Sequence, residues 1–245
     1  LELEAFVGNI LDPSSIAEAC SGCDTVFHLA VNISLRKDDW PLMHAVNVEG
    51  TRNVVNACIE KGVRRLIHFS SVHALQNEPW DSPIDETRPL VKAGRASPYD
   101  LSKAMAEKEV IRGAESGLDT VIINPTGIIG PHDFKPSHFG AALLALARRK
   151  LPALISGGFD WVDARDVSQG ALRAEAKAPA GSKYLLSGHW ISIRDMAMQV
   201  EKVCGVPRPR FVAPMWLAIL GLPLAPLLFR LGADRSLYSS ASLEA

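Results

Sequence analysis

Val63-Arg64-Arg65-Leu66-Ile67-His68-Phe69-Ser70-Ser71 reads as a basic turn, an apolar run and a closing pair of serines. The run predicts a buried strand over 65–70, and two runs of the same kind stand at 25–30 and 120–124. Helical patterns separate them. Asp12-Pro13-Ser14-Ser15 forms an N-cap followed by proline at the first helical position, and Gly22 ends that helix. Val48, Val55, Cys58 and Ile59 recur at helical spacing over 47–61, with Gly62 as the stop. A third helix is predicted over 99–114 and a later strand over 183–187. Ser192-x-x-Asp195 is a capping box for a helix that buries Met196, Val200 and Val203 and stops at Gly205. Short apolar strands alternating with longer helices signal an α/β fold with a parallel sheet. Leu3, Ala5 and Val7 look like a strand already inside that sheet.

The 245 residues suit one globular unit, or a nucleotide-binding core with a small second lobe. A net charge of −1 gives a nucleic-acid role no electrostatic support. Four cysteines are too few and too scattered for a disulfide framework, so a reducing, cytoplasmic setting is expected. Cys20-x-x-Cys23 lacks the second Cys or His pair that a metal site needs; Cys20 closes a helix and Cys23 precedes a strand. Pro214, Pro223 and Pro226 break the apolar run 211–231, which favours two short apolar helices packed on a lobe over a membrane-spanning segment.

Tyr99-Asp100-Leu101-Ser102-Lys103 carries the chemistry. Positions i and i+4 share a helix face, so the phenol and the ammonium address one pocket. An adjacent ammonium favours the phenolate and is expected to lower the Tyr99 pKa toward a useful value. Ser70 and Ser71 end a strand, and ligands bind at that edge of open parallel sheets. A serine hydroxyl there can hold a substrate oxygen beside the tyrosine.

Five ordered motifs together resemble the extended short-chain dehydrogenase/reductases over nearly the whole chain. They are Val26-Phe27-His28-Leu29-Ala30, Asn47-Val48-Glu49-Gly50-Thr51-Arg52-Asn53, the 98–103 segment, Asn124 through Pro131, and Trp161-Val162-Asp163-Ala164-Arg165-Asp166-Val167. Within that family 63–71, 98–103 and Gly130-Pro131-x-Asp133-x-Lys135-Pro136 are most similar to the dihydroflavonol-4-reductase-like branch. The resemblance implies a Rossmann-like doubly wound parallel sheet with a small C-terminal substrate lobe. The core would span 1–190, with 131–159 contributing to the lobe, and the lobe itself 191–245. It implies NAD or NADP as cofactor and the catalytic set Ser71, Tyr99 and Lys103. Asn9 and Ile10 would lie beside the adenine, and Leu29, Ala30 and Val31 would flank the cofactor. Ser70, Tyr99, Lys103, Pro125, Thr126, Gly127 and Ile128 would line its nicotinamide half, and Ser137 would reach a phosphate.

A dinucleotide fold opens with a strand, a glycine-rich turn and a helix, and no G-x-G-x-x-G occurs in the chain. The expectation is therefore a fragment lacking its first strand–helix–strand unit. The favoured function is hydride transfer between NAD(P)H and a carbonyl or secondary alcohol of a fairly apolar small molecule. The alternatives are a nucleotide-sugar epimerase using the same three residues and a dinucleotide-binding protein without turnover. Val72 and His73 stand where the family's dehydratases carry an Asp-Glu pair, which counts against dehydration. A small-molecule substrate and a homodimer are the expected partners.

Overall fold

The computed structural model describes residues 3–214, apart from 35, 36, 80 and 95. The first half holds α1 (Pro13–Ala19), β1 (Thr25–His28), α2 (Trp40–Met43), α3 (Gly50–Lys61), β2 (Arg65–Phe69), α4 (Pro98–Glu115) and β3 (Asp119–Pro125). There follow β4 (Gly127–Ile129), α5 (His138–Ala147), β5 (Leu154–Ile155), β6 (Gly158–Asp163) and α6 (Ala164–Lys177). The last described elements are β7 (Ser182–Leu186), β8 (His189–Ser192), α7 (Ile193–Cys204) and β9 (Val212–Ala213). They fall into two compact units, one within Leu1–Thr126 and Asp166–Leu186, the other within Gly127–Arg165 and Ser187–Ala245.

The first unit is built on a parallel sheet of order β1-β2-β3-β7. Leu66 and Ile67 at its centre are fully buried on opposite faces. Leu66 packs with Val54, Val55, Cys58, Val110 and Leu118 from the α3 and α4 side. Ile67 packs with Val121, Ile123 and the small residues Ala171 and Ala174 of α6. Each such side chain contributes about 1.5–3 kcal/mol by leaving water. The basic turn before β2 anchors the sheet's other end. Arg65 binds Asp119 at 2.6 Å and the backbone carbonyls of Ala174 and Glu175, so its guanidinium closes the last turn of α6. The chain then runs into the site from the opposite, C-terminal strand ends.

The helix limits follow local chemistry. Asp12 accepts from the Ser14 amide and caps α1, with Pro13 first in the helix. Gly62 ends α3 in the left-handed conformation, φ +66°, which only glycine adopts without strain. The helix expected from residue 47 instead begins as a π turn, His44–Glu49, that leads into α3.

The second unit has a β4-β6-β8 sheet and a β5-β9 pair. Its core is Leu146, Leu154 and Ala197, with Ile193 and Val200 beside them. Gly127 is obligatory in β4, since a Cβ there would lie 2.9 Å from the Asp160 carbonyl oxygen of the neighbouring strand.

Three expectations are corrected. Leu3, Ala5 and Val7 are exposed and form no strand, because alternation confers only propensity and no described strand lies alongside to pair with them. Val203 is 82% exposed; the stripe that packs is Ile193, Ala197 and Val200, and Val203 lies off it. In the apolar run 211–231, Val212 and Ala213 pair with β5 as a strand, while 215–231 lie outside the described residues. Among the described residues no helix is long and apolar enough to cross a membrane.

Candidate active site

The first turn of α4 is set by a full capping box. Ser97 accepts from the Asp100 amide, Asp100 accepts from the Ser97 amide, and Pro98 takes the first helical position. That start puts Tyr99 and Lys103 one turn apart. Lys103 is only 3% exposed, and its ammonium donates to the Phe69 carbonyl at 2.7 Å, at the last residue of β2. Ser71, two residues on, is extended, φ −161°, and its hydroxyl accepts from the His73 amide at 3.2 Å. The same hydroxyl lies close enough to the Tyr99 phenol to favour its phenolate. Ser71, Tyr99 and Lys103 thus meet at the C-terminal end of β2.

The electrostatics differ from expectation. Burial pushes the Tyr99 phenol up to about 12; the Ser71 hydrogen bond opposes that, and the Asp100 charge adds to it. The ammonium expected to lower it points at the Phe69 carbonyl instead. Burial also draws Lys103 down to about 8, against the pull of Glu107.

Beneath these groups lie two buried histidines, rings 5.2 Å apart. The Thr51 hydroxyl donates to the Asn47 carbonyl at 2.6 Å, so its oxygen is left to accept from His28 Nε2 at 2.9 Å. Neither ring nitrogen of His68 has a partner among the described residues. Burial, aided by the Lys103 charge, takes His28 from 6.5 to about 4, and the same causes hold His68 well below its usual range. Between those folded values and 6.5 the unfolded chain binds more protons, so stability is full above about 6.5 and falls as pH falls. At pH 5.5 each histidine should remove about 1 kcal/mol. His68→Leu should flatten the loss between pH 7.5 and 5.5 by about that amount in urea titrations. Equal pH dependence in the variant and the parent would show that His68 is not held neutral.

Asn47, which the sequence marks only as part of a helical motif, organises the site floor. Its side chain accepts from the Asn32 amide at 2.7 Å and donates to the Asn32 carbonyl and to Ser102 Oγ, each at 2.9 Å. Ser102 in turn donates to the Tyr99 carbonyl at 2.7 Å. A buried amide in an otherwise apolar helix face was the available signal. His73 packs edge-on to Tyr99 at 6.2 Å, with Nδ1 3.6 Å from Asp100.

Of the residues expected around a cofactor, Leu29, Ala30, Val31, Ser70, Pro125 and Thr126 follow or close β1, β2 and β3. Leu29, Ala30 and Val31 follow β1 and are exposed. The Ser70 amide donates to the Ile123 carbonyl at 2.7 Å, while its buried hydroxyl has no partner among the described residues. Pro125 closes β3, and the Thr126 amide donates to the Leu186 carbonyl. Asn9 accepts from the Leu11 amide within its own loop, and Ile10 packs over Gly50 and accepts from Asn53. Gly127, Ile128 and Ser137 belong to the second unit. Ser137 caps α5, its hydroxyl accepting from the Gly140 amide and donating to Asp133, so both of its hydrogen-bonding directions are in use.

Residues 2–186 match the NAD dependent epimerase/dehydratase family. The chain is 34% identical to sterol demethylase protein B of Methylococcus capsulatus, over 99% of this chain and 75% of that one. It is 31% identical to 2-alkyl-3-oxoalkanoate reductase of Stenotrophomonas maltophilia, over 82% of this chain and 63% of that one. The crystal structure of gox2253 shares 34% identity and superposes with a TM-score of 0.82, covering 98% of this chain and 73% of that one. With Ser71, Tyr99 and Lys103 converging at the end of a parallel strand, the chain belongs to the NAD-dependent epimerase/dehydratase family of extended short-chain dehydrogenases/reductases, enzymes that work with NAD or NADP.

Proposed function

We propose that the protein transfers hydride between NAD(P)H and a carbonyl or secondary alcohol of a fairly apolar small molecule. The observation that carries this is the convergence of Ser71, Tyr99 and Lys103 at the C-terminal end of β2. The residues fit a dinucleotide. Ser70 offers a buried, unpartnered hydroxyl among the described residues, and exposed Leu29 and Val31 offer apolar surface. Lys103 has spent one of its three N–H groups on the Phe69 carbonyl. Tyr99 and Lys103 would hold the nicotinamide ribose, with Ser70, Pro125 and Thr126 beside them. Asn9 and Ile10 would attend the adenine.

A bound nicotinamide supplies or accepts the hydride. Ser71 donates to the substrate oxygen and holds it, and Tyr99, kept protonated by burial, delivers its proton to that oxygen. Lys103, its ammonium anchored on the Phe69 carbonyl, would hold the nicotinamide ribose beside Tyr99. Reduction needs the phenol and oxidation the phenolate, so oxidation should have the more alkaline optimum.

An apolar substrate suits the relatives' names and the aromatic character of the second unit. Phe139, Phe159 and Trp161 pack edge to face at 4.6–5.4 Å, and Phe134 and Trp190 are exposed. One observation favours the epimerase reading: Arg194, Arg208 and Arg210 line a cavity of that unit, which suits a diphosphate, although Arg208 is paired with Glu201. A panel on the full-length protein decides between them. A 3β-hydroxysteroid with NAD, a 2-alkyl-3-oxoalkanoate and a dihydroflavonol with NADPH, and UDP-glucose with NAD would be compared. Turnover confined to UDP-glucose would reverse the assignment. All four cysteines are free, which supports a reducing, cytoplasmic setting, and a homodimer is the assembly we expect.

A further inference from the structure

We infer that Glu107 is a positioning residue for Ser71, acting through the Asn124 amide; the inference rests on the catalytic reading of Ser71 given above. Glu107 lies one turn beyond Lys103 on α4 and is 0% exposed. A carboxylate so buried persists only when its oxygens are satisfied. Here Oε2 accepts from Lys183 Nζ of β7 at 2.5 Å, and Oε1 accepts from Asn124 Nδ2 of β3 at 2.6 Å. The same Asn124 nitrogen donates to the Ser71 carbonyl at 2.9 Å. One amide group therefore bridges the buried ion pair to the backbone of the serine.

The bridge has a single workable orientation. Turned over, Asn124 would present its oxygen to a carboxylate and a carbonyl, both acceptors. As it stands, Asn124 Oδ1 is buried without a partner among the described residues, an expense that apolar packing at this position would avoid. The bridge reaches Ser71 where the β2–β3 ladder has already ended, at the Phe69–Ile123 pair and the Ser70 amide. Beyond that point the Ser71 carbonyl is held by the Ala74 amide of its own turn and by Asn124. Among the described residues, the Asn124 hydrogen bond, with Glu107 behind it, ties that turn to β3 and so fixes where Ser71 stands beside Tyr99.

The test replaces the ion pair as a unit, so that no buried charge is left alone. In the full-length protein Glu107→Gln with Lys183→Met keeps an acceptor oxygen for Asn124, and Glu107→Leu with Lys183→Met removes it. The Gln pair should retain kcat within about threefold, and the Leu pair should lose about tenfold with cofactor KM unchanged, as expected for a small misplacement of a substrate-holding group. In a Ser71→Ala background the Leu pair should cost nothing more, because its effect passes through Ser71. Crystal structures of the two variants give a second readout, with Ser71 in place in the Gln pair and displaced by roughly 1 Å in the Leu pair. Equal kcat and equal Ser71 positions in the two pairs would overturn the inference, as would the same loss in both backgrounds. Tyr99→Phe in the same assay keeps the two ideas apart. If it stays active the catalytic reading fails, and if it is inactive while the two pairs behave alike only the Glu107 inference fails.

Discussion

Tyr99→Phe in the full-length protein is expected to lower kcat by about 10²–10⁴-fold, the usual contribution of a positioned general acid, while leaving cofactor affinity nearly unchanged. The substitution keeps the ring and its edge contact with His73 and deletes only the hydroxyl beside Ser71. A group that acts in the transition state shows its loss in kcat and in kcat/KM together, with little change in KM. Because burial holds the phenol near 12, the parent enzyme's oxidation rate should still be rising at the alkaline end of its working range, and the variant should lose that rise. Steady-state kinetics across pH with calorimetric titration of NADH and NADPH would check both points. Near-normal kcat would make Tyr99 a structural residue of α4 and remove the proposed mechanism.

Tyr99 and Lys103 were legible in the sequence because a helix converts a spacing of four into a shared face, and the strand ending in Ser70-Ser71 marks the ligand-binding edge of a parallel sheet. The strands themselves were legible from apolar runs, and the stops at Gly62 and Gly205 from glycine's freedom at positive φ. What the sequence withheld is mostly long-range. Lys183 meets Glu107 across 76 residues, and Asn124 meets Ser71 across 53, pairings that no local pattern encodes. The sign of the Tyr99 shift was withheld too, since spacing reports that an ammonium is near but not that it turns to the Phe69 carbonyl. Leu3, Ala5 and Val7 mark the same boundary from the other side, because a strand exists only when a neighbour pairs with it.

Lys103→Met should separate function from stability in one protein. Activity should fall by about 10²-fold, since the ammonium proposed to hold the nicotinamide ribose in place beside Tyr99 is gone. Cofactor affinity should also weaken, because the ammonium is the proposed partner of the nicotinamide ribose. Stability should respond in the opposite sense as pH rises. Burial takes Lys103 from 10.5 to about 8, so between those values the unfolded chain binds the extra proton and the parent protein becomes more stable as pH rises. The gain from pH 7.5 to 10 should be about 2 kcal/mol, and Met at this position should abolish it. Near pH 7.5 the variant is relieved of a buried charge but leaves the Phe69 carbonyl without its donor, two effects that offset. The slope with pH, not the value at one pH, is therefore the measurement. Tyr99 titrates above this window in the folded chain and at its lower-pKa unfolded value near the upper edge, in both proteins alike, and His28 and His68 are neutral throughout. Urea titrations of parent and variant from pH 7.5 to 10 should diverge steadily; parallel curves would mean that Lys103 carries no buried charge, and the electrostatic account of the site would have to be abandoned.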